Sequence, residues 1–489
     1  MSLSHLKIRK LLVPVVYLFL VWTVSSKAAN NDSIIVAGAD STQIAPSANE
    51  KYLIIHTISV TGNNRTKTRI IFRELTLHAG DTILPSALEA LIMKSRNNIL
   101  NTHLFNFVRI DTIPWFRNQI DILVDVKERW YLFPIPTFDI AERNFNTWLE
   151  NPNLERASYG FFLVDNNFRG LKSNLTFQFR IGYAQQLQIT YAIPYLNKKQ
   201  TSGLGCGFSY NRNREIYYST ENNQLDYYKN TDFVREEWVG KLNYSLRTGF
   251  YTTQTAEIRY VQSSISDSLA SLNKDYFGGG ATQFQLFIAG YRFRRDCRDS
   301  KAYPLKGYFL GFDLVKQGLG ILKNESANLF YVSASARKYW QLFDRFYFDA
   351  MIKGKLTDNE QPPYYLQSAL GYGDYVRGYE YYVIDGQSFS LLKTNFHYQL
   401  VRPSVYHVNS LQNERFNTIP YAVYLTLFAD AAYVEDNYYF KNNPLTNNLL
   451  IGGGAGVDFV TYYDIVIRME CSMNRMEQVG LFLHFVAPF

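Results

Sequence analysis

Residues 175–183 read Leu-Thr-Phe-Gln-Phe-Arg-Ile-Gly-Tyr, and their apolar and polar side chains alternate. Successive side chains of a β-strand point to opposite faces, so this segment predicts a strand with one apolar and one polar face. The same alternation recurs at 187–193, 238–247 and 465–470. Because such segments and turn-rich connections fill residues 130–489, most of the chain is predicted to be β-sheet.

The composition distinguishes between two kinds of β-protein. Of 489 residues, 47% are hydrophobic, 16% are aromatic and only 19% are charged. A soluble sandwich would bury its apolar face, whereas a transmembrane barrel turns that face to lipid and gathers aromatic residues at the membrane interfaces. No apolar run reaches the roughly 20 residues of a spanning helix. We therefore predict an all-β transmembrane barrel.

The N-terminus has the pattern of an export signal. The apolar run Leu11–Trp22 follows three basic residues and precedes Ser26-Lys27-Ala28, which predicts a signal peptide over residues 1–28. The small, polar residues 29–50 are predicted to form a tether. The formal net charge of the whole sequence is +7, and four of these positive charges lie in the predicted signal peptide, so the rest of the chain carries +3. The basic balance is then too small to indicate nucleic-acid binding.

The sequence contains no recognisable catalytic or metal-binding spacing. Its three cysteines are far apart, and its seven histidines are scattered. G-x-S-x-G, P-loop and H-E-x-x-H motifs are missing from the sequence. We expect neither an enzyme nor a cofactor or metal.

Sixteen candidate strands can be counted after residue 130. An even number returns the C-terminus to the side of the N-terminus, so 212–235, 264–281 and 356–386 become long outer loops. The inner connection Arg402–Pro420 is longer than this rule expects. The strands are predicted to begin near Tyr131, Ser158, Ser173, Gln185, Ser202, Glu237, Gln254, Thr282, Gly307, Asn328, Phe346, Gln387, Tyr421, Leu449, Asp464 and Val479.

Residues 51–129 form a separate pattern of strand, helix, helix, strand and strand. With the turn after Val60, the break at Gly80 and the closing Val124–Glu128, this segment resembles a POTRA domain. The resemblance implies a periplasmic α+β module that binds peptides at an edge strand, with client contact expected along Gln119–Val126. A generic small αβ domain is the alternative. The predicted elements are Leu53–Val60, Thr68–Leu77, Leu84–Leu100, Phe107–Ile113 and Gln119–Val126.

Two motifs in the barrel resemble those of the BamA/TamA-like outer-membrane assembly superfamily, the bacterial surface antigen family. The first is Val376-Arg377-Gly378-Tyr379, in the sixth outer loop. The second is Phe428-Ala429-Asp430, on the thirteenth strand, although Ala432 stands where the family usually has Gly. The strand phase turns Phe428 and Asp430 inward. The resemblance implies that Arg377 pairs with Asp430 and holds the loop in the lumen, where Gly452, Gly454 and Gly456 leave room for it.

A third motif lies in the predicted inner turn between strands eight and nine. It resembles the family's Asp-x-Arg turn followed by Pro and Gly. Taken singly, each of the three motifs also fits an ordinary loop, lumen or turn residue, whereas their joint order supports the family. The residues of this turn motif are Asp296, Arg298, Asp299, Pro304 and Gly307.

The two ends of the barrel are expected to meet at a seam. Pro134 and Pro136 lie two apart on the first strand, and the chain ends on Phe489 in the apolar phase of the last strand. Proline cannot donate a ladder hydrogen bond. This pattern indicates either a ragged closure or a seam that opens sideways to pair with another strand.

The resemblance implies a protein of the bacterial outer membrane with its POTRA domain in the periplasm. We expect an assembly factor, or a translocase, that handles unfolded β-rich clients through the POTRA edge strand and the seam, in contact with outer-membrane lipids. A dedicated two-partner-type secretion pore is the first alternative. A passive porin or small-molecule transporter is the second.

Overall fold

The computed structural model describes residues 52–140, 157–323, 325–358, 361–408, 418–461 and 464–486. The predicted signal peptide (1–28), the predicted tether (29–50) and Phe489 lie outside these ranges. Among the described residues, no helix combines the length and the apolar character needed to cross a membrane.

The N-terminal domain is a small sheet covered by helices. The sheet has the order β2-β1-β4-β3, in which β4 pairs parallel with β1 and antiparallel with β3. The buried core combines Ile55, Ile99 and Val124 with side chains of the segment after the first helix, such as Leu75. The elements are β1 (Leu53–Thr61), α1 (Thr68–Phe72), β2 (Thr82–Ile83), α2 (Pro85–Leu100), β3 (Phe105–Pro114) and β4 (Gln119–Glu128).

Two details of this domain differ from the sequence predictions. The first helix ends at Phe72 rather than at Leu77, because the backbone N–H groups of Glu74 and Leu75 bond the third residue before them rather than the fourth. The strand expected to receive clients, Gln119–Val126, is β4, and β1 and β3 already occupy its two sides. A further strand can add only at an end of the sheet. The two ends are β2, with two residues, and β3, with ten, so β3 offers the longer edge.

Sixteen further strands form one antiparallel sheet, as the alternation predicted, and they follow chain order except that the hairpin β10–β11 stands outside it. Each begins within three residues of its predicted start. The strands are β5 (Leu132–Ile140), β6 (Ala157–Phe168), β7 (Ser173–Gly182), β8 (Ala184–Ile193), β9 (Ser202–Asn213), β10 (Glu215–Glu221), β11 (Gln224–Lys229), β12 (Arg235–Thr248), β13 (Thr252–Ile265), β14 (Gln283–Asp296), β15 (Gly307–Gln317), β16 (Leu329–Phe343), β17 (Phe346–Thr357), β18 (Ser388–His407), β19 (Thr418–Glu435), β20 (Leu449–Val460), β21 (Val466–Asn474) and β22 (Val479–Val486).

The two faces of these strands differ as a membrane barrel requires. On β22, Leu481 is 80% exposed and Leu483 is 55% exposed. The next residue, His484, faces the other side of the strand and is partly buried. On β21, Met469 is exposed and Glu470 is buried. Apolar side chains therefore cover the outside, and polar side chains line the lumen.

The outer connections hold an ordered cap. The hairpin β10–β11 lies within the predicted loop 212–235, and α3 (Asp267–Leu272) lies within 264–281. Apolar side chains of both, such as Ile216 of the hairpin and Leu269 of α3, pack with the turn Tyr364–Leu366 around buried Tyr276 and Phe284. The long inner connection is partly strand: β18 continues to His407 and β19 begins at Thr418, and the two strands pair across two register shifts.

Candidate functional site: the lumen loop, the inner turns and the seam

The loop after β17 enters the lumen and binds β19 through an arginine. Arg377 donates from Nε to Oδ2 of Asp430 at 2.9 Å and from Nη2 to Oδ1 at 2.5 Å. Both side chains are buried, at 6% and 0% exposure. A buried guanidinium without a carboxylate would be costly, so this bidentate contact holds the loop to the wall.

Other lumen groups complete the surroundings of Arg377. Its Nη1 donates to Oδ1 of Asn395 at 2.7 Å, and the guanidinium lies 3.9 Å from the centre of the Phe428 ring. Asp430 also lies 3.7 Å from the ammonium of Lys393. Two cations thus depend on one carboxylate, and Phe428 provides an aromatic face for the guanidinium.

Glycine permits the close approach of loop and wall. Gly378 has a φ of +92°, which favours glycine. A Cβ at Gly452 would lie 1.8 Å from the Arg377 carbonyl oxygen, so the loop can pack against this strand only if the position has no side chain. Val376 and Tyr379, on either side, are buried in an apolar cluster of the loop and its neighbouring strands. Gly454 and Gly456 instead face β21, where a Cβ would approach the carbonyl oxygens of Cys471 and Met469.

The inner turn between β14 and β15 is organised by its own polar side chains. Arg298 makes two 2.7 Å hydrogen bonds to the Asp296 carboxylate. Asp299 accepts hydrogen bonds from the backbone of Ser300 and Leu305. Gly307 has a φ of +100°, and a Cβ there would lie 2.2 Å from a backbone oxygen. Pro304 lies in the same turn, half-buried.

A tyrosine in that turn, which the sequence did not single out, reaches into the lumen. Tyr303 is buried, and its hydroxyl donates to Oδ2 of Asp458 at 2.7 Å. Its oxygen is 3.2 Å from Nδ1 of His397, whose Nε2 lies 2.9 Å from Asp349. This series of polar contacts connects the turn to strands β17, β18 and β20 of the barrel wall. No motif predicts it, because its members are single polar residues in the lumen phase of separate strands.

The N-terminal domain contacts the barrel through a buried ion pair that sequence reasoning also missed. Arg247, at the inner end of β12, donates to the two carboxylate oxygens of Glu74 at 2.5 and 2.7 Å. The hydroxyl of Tyr195 donates to Glu74 as well. Burial acts to raise the pKa of Glu74, but the hydrogen bonds from Arg247 together with the charges of Arg247, Lys172 and Arg73 outweigh it, and the pKa falls below its ordinary value. Glu74 is therefore held ionised.

A second contact joins the domain to the turn between β20 and β21. Asp464 accepts a hydrogen bond from Arg129 at 2.7 Å and lies 2.8 Å from Nδ1 of His103. Burial opposes ionisation of Asp464, yet these two partners lower its pKa from 3.8 to about 2. The helix α2 adds a third contact, because the side chain of Asn101 hydrogen-bonds the backbone at Asp299 and Lys301.

The first barrel strand faces the seam with both prolines. The N–H of Asn166 donates to the Tyr131 carbonyl at 3.0 Å, and Leu132 stands opposite Asp165. Hydrogen-bonded pairs alternate with unbonded pairs along an antiparallel ladder. Pro134 and Pro136 fall in unbonded pairs, so their nitrogens point away from β6. Within the described residues, β5 and β22 are the two ends of the sheet order, with no ladder between them.

These features together define a class of protein: an outer-membrane β-barrel with an N-terminal domain docked on its inner turns and a loop tied inside its lumen. Residues 167–461 match the Omp85 superfamily domain, and residues 53–129 match the POTRA domain family described as the surface antigen variable number repeat. The chain belongs to the Omp85 superfamily. Its barrel lies in the outer membrane and its POTRA domain in the periplasm.

The chain is also similar to solved structures of low sequence identity. They are BamA from Haemophilus ducreyi lacking POTRA domains 1-3 (14% identity, 89% of this chain, 84% of that chain, TM-score 0.49), CdiB from Escherichia coli (12%, 88%, 75%, 0.51) and CdiB from Acinetobacter baumannii (12%, 89%, 73%, 0.47). The likeness to the Escherichia coli protein supports the fold alone. No curated protein sequence matches the chain. Membership of the superfamily assigns the protein to outer-membrane protein insertion or secretion.

Proposed function

We propose that this protein inserts β-rich client polypeptides into the outer membrane by pairing them with the edge of its own barrel. The observation that supports the proposal best is the seam. Pro134 and Pro136 remove two N–H donors from the side of β5 that faces away from β6. A seam with few ladder bonds can open and expose a strand edge, and an exposed edge pairs readily with another chain.

Clients would first meet the POTRA domain at β3. That strand is an end of the domain's sheet, and its backbone can receive a further strand. The turn that follows it carries Trp115 and Phe116, which are 61% and 63% exposed. Exposed aromatic side chains beside a strand edge favour an extended apolar segment. The folding of the client itself would supply the free energy for insertion, and the protein would act without enzymatic chemistry.

The arrangement of the lumen favours this function over a passive porin. The loop bearing Arg377 occupies the lumen, and aromatic side chains around Tyr276 pack between the outer loops. On the periplasmic side, Glu74 ties the POTRA domain to the barrel turns. In a general diffusion pore, the lumen loop, the aromatic cap and the POTRA contact would all have to move aside to let solutes pass. A dedicated secretion pore would use the same parts, and conductance measurements distinguish it from an insertase.

The seam can be tested by sealing it. After replacement of the three native cysteines, Ile135→Cys on β5 and Phe482→Cys on β22, which are both in the lumen phase of their strands, are joined by a short bismaleimide in proteoliposomes. Insertion of a urea-unfolded barrel client is followed by its heat-modifiable mobility and protease protection. We expect the cross-link to abolish insertion, because β5 and β22 can no longer separate.

The matched control joins two strands that are already paired. Ile189 on β8 lies opposite Phe208 on β9, and both side chains face lipid. Cross-linking Ile189→Cys to Phe208→Cys should leave insertion at its full rate. Full insertion with the β5–β22 seam sealed would exclude the proposal. Large steady single-channel currents without client insertion would instead support the pore or porin alternatives.

A further inference from the structure

Three lumen side chains from three separate segments converge near the seam. Glu380 follows the Val376–Tyr379 motif in the lumen loop, Glu470 lies on β21 and His484 lies on β22. One potential ligand atom from each lies within 4.8 Å of the other two. Spacing along the sequence could not reveal this group, because its members are far apart in the chain.

Two of these atoms are left without partners. Nε2 of His484 and Oε1 of Glu380 are buried, and neither has a hydrogen-bond partner within the described part of the chain. They lie 3.9 Å apart, and Nε2 is 3.3 Å from Oε2 of Glu470. Buried polar atoms that lack partners are uncommon and call for an explanation. A cation among the three atoms would satisfy all of them.

The orientation of both carboxylates is fixed by other contacts. The second oxygen of Glu380 accepts the N–H of Gly378 at 2.7 Å, which leaves Oε1 turned to His484. Oε1 of Glu470 lies 3.5 Å from the Arg377 guanidinium, so Oε2 is the oxygen directed at the imidazole. The bidentate pairing of Arg377 with Asp430 leaves Arg377 only weakly engaged with Glu470.

We propose that Glu380, Glu470 and His484 bind one zinc ion. Zinc is held by imidazole nitrogen and carboxylate oxygen at about 2.0–2.2 Å in a tetrahedral arrangement, which separates adjacent ligand atoms by roughly 3.4 Å. The separations of 3.3 and 3.9 Å in the cluster are close to that value. A nitrogen ligand disfavours magnesium and calcium, which prefer oxygen alone. Water would take the fourth position.

The ion would act as a tie between the lumen loop and the last strand. Glu380 moves with the loop, whereas His484 belongs to β22, one of the two strands that flank the seam. Bound zinc would therefore hold β22 against the loop and stabilise the closed barrel. The binding site stands on geometry alone, and its effect on client insertion rests on the proposed function.

The site is tested with Zn²⁺ on the purified full-length protein, prepared without a histidine tag. Calorimetry should give one ion per chain, and Co²⁺ should produce the intense visible bands of a tetrahedral site. We expect Glu380→Gln and His484→Asn each to weaken binding at least tenfold. His397→Gln, which removes another buried lumen imidazole, should bind as the wild type does.

The absence of binding by the wild type, or equal affinity in wild type and both variants, would overturn the proposal. X-ray absorption of the zinc-loaded wild type provides a test that does not depend on how the variants fold, since a shell without imidazole would also overturn it. Hydrogen exchange of the β22 amides should slow on zinc addition in the wild type but not in His484→Asn. Unchanged exchange would exclude the tie. A protein that binds zinc but never inserts clients would refute the proposed function and leave the site intact.

Discussion

Two buried arginine–carboxylate pairs hold this protein together at different levels. Arg377 and Asp430 join a loop to the barrel wall in the lumen, and Arg247 and Glu74 join the POTRA domain to the barrel. Both contacts are bidentate. They differ in their surroundings: the lumen pair is enclosed by protein, whereas the domain pair borders a cavity of about 520 Å³ lined by polar and basic side chains. Water can reach a charge that is left alone there.

This difference separates a contact that sustains the barrel from one that positions a domain. Removal of one partner of an enclosed pair leaves a buried charge that water cannot reach. Removal of one partner beside a wet cavity leaves a charge that water can solvate. The lumen pair should therefore affect the free energy of unfolding of the barrel, and the domain pair should affect POTRA docking alone.

The largest effect is expected from Asp430→Asn. Arg377 would lose its bidentate carboxylate and Lys393 would lose the Asp430 charge, so the free energy of unfolding should fall by about 3–5 kcal/mol. Urea unfolding in detergent, followed by tryptophan fluorescence, measures the change. The control is Glu257→Gln, which removes a lumen carboxylate that is 25% exposed and should cost at most about 1 kcal/mol. Equal losses in the two variants would contradict the special role of the enclosed pair.

Glu74→Gln should come next, with a different readout. The barrel should unfold as in the wild type, while docking of the POTRA domain weakens by about 1.5–3 kcal/mol because charged hydrogen bonds are lost. Hydrogen exchange over 68–100 would report the released contact. Glu89→Gln, an exposed carboxyl on α2, should leave exchange unchanged. A barrel destabilised as strongly as by Asp430→Asn would erase the distinction between the two pairs.

Gly452→Ala tests the seating of the loop without removing a charge. The new Cβ would collide with the Arg377 carbonyl, and overpacking of this kind costs about 1–3 kcal/mol. Trypsin should then cut at Arg377, which the wild type protects. Gly240→Ala is the matched control, because a Cβ at that strand position meets nothing within 4 Å. Protection retained in Gly452→Ala would show that the wall leaves more room than the structure indicates.

The smallest effect concerns pH. The pKa of Asp464 falls from 3.8 to about 2 on folding, so its contribution to docking is complete above about pH 4 and is lost as the pH drops toward 2. Asp464 is 25% exposed, and solvent limits that contribution to about 1 kcal/mol. In Asp464→Asn, POTRA docking measured by hydrogen exchange should vary less between pH 4 and pH 2 than in the wild type, because only Glu74 and other carboxyls still titrate there. A variant as acid-sensitive as the wild type would assign the dependence to other carboxyls.

The barrel could be predicted from sequence because lipid imposes alternation on every strand. The alternation of apolar and polar residues along β19 also predicted that Asp430 faces the lumen. The resemblance of Val376–Tyr379 to a family motif predicted Arg377 as its partner. Their role in client handling stays a prediction. The hairpin β10–β11 was not predicted, since it lies beyond the membrane and no lipid face marks it. The Glu74–Arg247 contact could not be predicted either, because an ion pair between two domains produces no periodic pattern in the sequence of either domain.

Pro134 and Pro136 also restrict how two copies of this protein could meet. Along the seam side of β5, the carbonyls of these residues remain but their N–H groups are missing. Two such edges placed side by side would present acceptors to acceptors, with too few hydrogens between them. This edge would therefore pair more favourably with a strand that has all its N–H donors than with a second copy of itself. In a crowded membrane, this chemistry would disfavour edge-to-edge pairing between two copies of the protein.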